Sequence, residues 1–172
     1  DTHGYRYKQL IFGPLAMFSK PWQKHFHYKF LQRETLWGES CAIIEVMPLH
    51  RFKENPLFGK AWISLKDFSV LRIQWHPRSL PFTDTITLRA NEYKALPYIE
   101  FFAEFNILKR GIRFPSKYYL EESYISTTRK HIPYRSRHKG KKFQRLTQEV
   151  ALKDYMFFIV GTEVVNAKGE GE

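Results

Sequence analysis

FGKAWISLKDFSVLRIQWHP, Phe58 to Pro77, holds two runs in which apolar and polar residues alternate, Gly59 to Leu65 and Val70 to His76, around a short polar loop at Lys66 to Ser69. Side chains of an extended chain point alternately to opposite faces, so a period of two reads as a half-buried antiparallel hairpin. The form recurs before it, in Phe26 to Trp37 and Cys41 to Met47 around Gly38 and Glu39, and after it, in a pair hinged near Arg110 and Gly111. Further strands are expected at Tyr5 to Phe12, Thr83 to Tyr93, Tyr98 to Lys109, Phe114 to Ser126, Phe143 to Leu152 and Met156 to Val164, about ten in all. Leu15 to Trp22 is short, apolar and bounded by prolines, which suits a one-turn helix or a loop over one face of a sheet. His76 to Phe82 reads as a connection. No interval has the length and periodicity of a crossover helix, so the class is mainly β, an antiparallel meander rather than a parallel α/β sheet.

The 172 residues are enough for one domain, 1–172, with a core that needs neither disulfide nor metal. Hydrophobic residues make up 43% of the chain, which places it among globular proteins. Fifteen Phe, ten Tyr and four Trp exceed what a small closed barrel can absorb, and imply a broad apolar sheet face or a ring-lined cavity. The single cysteine, Cys41, rules out an internal disulfide and reads as a buried thiol. Asp1 to Gln9 has neither the basic nor the apolar region of a leader, and no run approaches a membrane helix, so a secretion signal, if the protein is exported, lies upstream. The tail 166–172 is expected to fray.

Seven of the Lys and Arg residues behind the net charge of +11 fall in the segment 129–142, which carries no acid. Pro133, Gly140 and the lack of periodicity make it a loop between strands. It is either a solvated connection or a contact for an anionic lipid or partner, through Lys130, Arg135, Arg137, Lys139, Lys141 and Lys142. Nucleic acid is not the expected partner. Aromatic residues run through the whole pattern instead of clustering beside the basic loop, and no RNP-like or zinc-finger spacing occurs.

A sheet bent around one face puts its apolar side chains on the concave side. The alternation places Ile99, Phe101, Ala103, Phe105 and Ile107 inward, and Tyr98, Glu100, Phe102, Glu104 and Asn106 outward. In the Trp62 hairpin, a four-residue loop sets Leu65 opposite Val70 and puts Trp62, Leu71, Ile73 and Trp75 on one face. A loop one residue different would bring Ile63 and Leu65 there instead. The first register makes Trp62, Leu71, Ile73, Trp75, Ile99, Phe101 and Phe105 the candidate cavity lining; ordinary core packing is the competing reading.

Catalytic patterns are missing: the chain has no nucleophile elbow, Walker loop, dinucleotide-binding glycines or H-E-x-x-H helix. His25 and His27 share a strand face, but two histidines without a third ligand read as surface or packing residues, so no metal or cofactor is expected. Glu121 and Glu122 point to opposite faces of a strand and do not form an acid/base pair.

Four pieces, in order, resemble the middle and C-terminal part of the LolA-like superfamily of outer-membrane lipoprotein-sorting proteins: IEVMP, Ile44 to Pro48; WISLKDFSVLRI, Trp62 to Ile73; RFPSKYYLEE, Arg113 to Glu122; and VALKDYMFFIV, Val150 to Val160. The likeness runs from about residue 26 to the end and leaves the family's N-terminal helix and first strands without a counterpart. Ser64 stands where the family often has Asp. The resemblance implies a curved antiparallel sheet forming an open, incomplete barrel around an acyl-chain hollow, and a periplasmic setting. The expected function is non-enzymatic binding of a lipid or acylated lipoprotein, as carrier or sensor. The alternatives are an interaction domain of a longer envelope protein with no lipid cargo, and a lipid-modifying enzyme using the His25 and His27 face.

Overall fold

The computed structural model describes residues 17–49, 57–127 and 140–156. A one-turn helix α1 (Lys20–Gln23) leads into β1 (Phe26–Leu36), β2 (Glu39–Pro48), β3 (Gly59–Ser64) and β4 (Val70–Trp75). Helix α2 (Thr83–Tyr93) precedes β5 (Ala95–Glu104), β6 (Ile107–Lys109), β7 (Ile112–Phe114), β8 (Lys117–Ser126) and β9 (Lys142–Ala151). Seven strands form one sheet in the order β1-β2-β3-β4-β5-β8-β9, and every neighbouring pair is antiparallel. The β6–β7 hairpin is a separate two-stranded sheet between β5 and β8. The mainly β antiparallel expectation therefore holds, and among the described residues β1 and β9 do not pair, so the sheet is not closed. The expected strand Tyr5 to Phe12, most of Met156 to Val164, the tail 166–172 and residues 129–139 of the basic loop lie outside the described residues.

The segment Thr83 to Tyr93 is a helix, not the expected strand. Its β-branched Thr83, Thr85, Ile86 and Thr87, and the two-residue spacing of Ile86, Leu88 and Ala90, favour extended chain locally. Packing decides otherwise. Ile86 is 4% and Ala90 6% exposed while Leu88 is 65% exposed, the four-residue repeat of a helix face. Asp84 sits in the first turn, where the helix dipole favours a negative charge, and Lys94 at φ 47 closes the last turn in the left-handed conformation. Because α2 joins β4 to β5, which pair antiparallel, it is no crossover and leaves the exclusion of a parallel sheet standing.

Two expected strands are split. Tyr98 to Lys109 breaks after Glu104, and Ile107 leaves the sheet to open the β6–β7 hairpin, whose turn falls at Arg110 and Gly111 as expected. Phe114 to Ser126 breaks at Pro115, which has no N–H to give a ladder, and the Ser116 N–H reaches the Glu104 carbonyl at 2.7 Å to resume pairing.

The Trp62 hairpin departs from its expected register. Ala61 pairs with Ile73 and Trp62 with Arg72, but Ile63 pairs with Val70, so Leu71 is the extra residue of a bulge. The bulge divides the four residues expected on one face. Ile73 and Trp75 join the main core with Val46, Ala61, Phe101 and Leu120, whereas Trp62 and Leu71 pack with Leu36, Cys41 and Ile43 on the opposite face. The side of the sheet that carries the main core is called inner below.

Candidate functional site

The inner face is mainly apolar across the sheet, with Gln148 of β9 a polar position on it. Tyr28, Val46, Gly59 and Trp75 follow one another through the pairings of β1 to β4, and Phe101, Leu120 and Gln148 through those of β5, β8 and β9. Of the expected lining, Ile73, Trp75, Phe101 and Phe105 are buried in one cluster here, and Ile99 is half-buried against it. Met17 and Leu80 belong to the same cluster, and Phe18, Phe82 and Leu152 pack on it, so segments outside the sheet cover its centre. Toward the margins Tyr28, Ile44, Ile63, Val70, Leu146 and Val150 are only half-buried. Removing apolar surface from water contributes about 25 cal/mol per Å², so these half-covered side chains retain a driving force for further burial. Among the described residues, the Nε1–H groups of Trp62 and Trp75 are buried with no acceptor, an arrangement that costs about 1–3 kcal/mol per group.

One carboxylate interrupts the inner face. Glu122 pairs with Ile99 across β5 and β8 and is 1% exposed. Arg89 of α2 reaches it through Nη1 at 3.2 Å, Arg145 of β9 through Nη1 at 2.8 Å, and the Tyr124 hydroxyl donates to it at 2.6 Å. Burial, and then the hydrogen bond to Glu122, push the Tyr124 phenol well above its ordinary value, so it stays a donor at any physiological pH. A buried carboxylate must be paired to be tolerated, and here two guanidiniums from separate elements pin α2 across the ends of β8 and β9. Tyr93 and Phe143 stack edge-on and face-on against the Tyr124 ring and complete that contact. As expected, Glu121 points to the other face.

Of the six expected headgroup cations, Lys130, Arg135, Arg137 and Lys139 lie outside the described residues. Lys141 is exposed. Lys142 opens β9 instead of lying in the loop; it contacts Glu121 at 2.6 Å and sits 3.6 Å from the centre of the Tyr98 ring. The hydrogen bond to Glu121 raises its pKa. Burial opposes ionisation of Glu121, yet the hydrogen bonds from Lys142 and Ser123 outweigh it and leave that carboxyl lowered. Lys142 is thus committed to an ion pair on the outer face.

His27 is exposed and His25 packs its ring edge-on to Trp22, 5.8 Å away. Among the described residues no group of three or more His, Cys, Asp or Glu is placed to hold a metal ion. A shallow depression of about 160 Å³ lies over Glu45, Met47, Lys60, Gln74 and His76, where β2 and β4 end and β3 begins. Gly59 lets β3 and β4 close up beside it: a Cβ there would lie 2.1 Å from the Gln74 carbonyl oxygen. Burial and the Arg78 cation hold the His76 imidazole below its ordinary value, stacked on Phe58 at 5.1 Å.

Comparison with protein-family models, curated proteins and solved structures finds no match. Among the described residues no helix is long and apolar enough to cross a membrane.

Proposed function

We propose that the inner face binds the acyl chain of a lipid or lipoprotein, and that the protein is a non-enzymatic carrier or sensor. In this reading the sheet is the open, incomplete barrel of a LolA-like protein working in the periplasm. The observation that carries it is the extent of the inner face: apolar side chains run from β1 to β9, and those along its margins, Tyr28, Ile44, Ile63, Ile99 and Val150, keep part of their surface uncovered. An acyl chain laid against them gains about 0.8 kcal/mol for each CH2 taken from water, before ordering costs, and needs no reactive group.

The test is displacement of an environment-sensitive fatty-acid probe by phospholipid or acylated peptide. Ile63→Gln and Ile99→Gln change half-buried inner-face positions and spare the fully buried Phe101, so the fold can be checked separately. Each variant is expected to weaken probe binding about tenfold or more, in line with the burial lost. Unchanged probe binding in folded variants would sink the acyl-chain reading and favour an interaction domain without lipid cargo.

A further inference from the structure

The meander sends the β1–β2 turn, the β3–β4 turn and the β6–β7 hairpin to the same end of the sheet, and the chain after β9 arrives there too. That end is fastened by one side chain. Arg113 of β7 donates through Nε to the Ser69 hydroxyl at 2.6 Å and through Nη2 to Glu39 Oε2 at 2.6 Å, and approaches Asp67 at 3.5 Å. The Ser64 hydroxyl donates to Glu39 as well, and the Leu65 N–H to the Ser40 carbonyl at 3.0 Å. The three turns are therefore held as one surface.

Large apolar side chains stand outward on it. Phe68 is 78% exposed, Leu108 and Ile112 57% each, and Trp37, Leu65 and Met156 join them. Five such residues on linked turns, with Met156 after β9, are more than scattered surface hydrophobics; Leu108, paired with Arg113, and Ile112, paired with Lys109, flank the hairpin tip on its two faces. Phe68 is also held at φ 57, a left-handed conformation that is costly for an aromatic residue, so the turn presents its ring to solvent against backbone preference. Cations outnumber acids around them: Lys66, Lys109, Arg110, Arg113 and Lys153 stand against Glu39, Asp67 and Asp154. Glu39 and Asp67 contact Arg113, Lys109 meets the Tyr155 carbonyl at 3.0 Å, and Lys66, Arg110 and Lys153 are exposed.

We infer that this turn-bearing end of the sheet is a docking surface for an anionic lipid bilayer, with Phe68, Leu108 and Ile112 entering the interfacial region and the neighbouring Lys and Arg side chains meeting lipid phosphates. Apolar tips with long cationic side chains beside them match the layered chemistry of a bilayer surface, where apolar groups go below the headgroups and the cations stay beside them. The surface is opposite in the sheet to Lys141 and Lys142 at the start of β9, and it does not depend on any cargo at the inner face.

The experiment is flotation of the full chain with vesicles of phosphatidylcholine alone or mixed with phosphatidylglycerol. The wild type should float with the mixed vesicles, less so as salt rises. The double variant Phe68→Asn, Leu108→Ser should lose at least about tenfold in partitioning with an unchanged urea midpoint, since Asn accepts the left-handed backbone and both sites are exposed. Brominated lipid should quench the part of the fluorescence that Trp37→Phe removes. Failure of the wild type to bind mixed vesicles overturns the inference. So does full binding by the folded double variant, or loss confined to the Lys139→Gln, Lys141→Gln, Lys142→Gln variant.

Discussion

The pairing that the sequence could not display is the one at Glu122. Its partners Arg89 and Arg145 stand 33 and 23 residues away, and nothing in the local pattern links them. Alternation does tell which way Glu121 and Glu122 point, because that is a property of any strand, but whether a face is covered depends on the helix laid over it. With the carboxylate buried, removing its charge leaves two guanidiniums facing a neutral amide. Glu122→Gln should lower unfolding free energy by about 3 kcal/mol in urea titrations. Tyr124→Phe should cost about 1.5–3 kcal/mol, the worth of a hydrogen bond to a charged acceptor. Tyr124 also predicts a pH effect. Its folded pKa is raised above the unfolded value of 10.0, so its contribution is complete below that pH and is lost as pH rises beyond it. Stability measured from pH 8 upward should therefore fall more steeply for the wild type than for Tyr124→Phe, and parallel curves would contradict the assignment.

At the level of elements, the strands with clean alternation were legible. The expected limits of β1 to β4 lie within two residues of the observed ones, and the hinge at Arg110 and Gly111 is a real turn. Two kinds of information were not. A bulge such as the one at Leu71 leaves the composition of both strands unchanged while moving Trp62 and Leu71 to the face opposite Ile73 and Trp75. The segment of α2 supports either period, through Ile86 and Ala90 for a helix or Ile86, Leu88 and Ala90 for a strand, and its β-branched residues tilt a local reading toward the wrong one. The helix makes a distinct prediction. Ile86→Ala should destabilise by about 2–4 kcal/mol, as a buried aliphatic does, and Leu88→Ala by less than about 0.5 kcal/mol, as an exposed one does. Equal costs in thermal or urea unfolding would speak for the extended alternative.

For the molecule as a whole, the abundance of Phe, Tyr and Trp pointed to a broad apolar face or a ring-lined cavity, and one side of the seven-stranded sheet gathers Phe26, Trp75, Phe101, Phe105 and Tyr118 into a core. What alternation could not separate is a face filled by the protein from one that leaves room for a guest. Ile73, Trp75, Phe101 and Phe105 are covered by Met17, Leu80 and their neighbours, whereas Ile63 and Ile99 remain half-open, and that difference arises from segments distant in sequence. In the proposed reading, an acyl chain occupies the uncovered margin of the inner face. Native mass spectrometry of the purified protein tests it most directly. Adducts with the masses of acyl lipids are expected, removed by organic extraction and restored by adding phospholipid or fatty acid; a bare chain that takes up neither after extraction and refolding would contradict that reading.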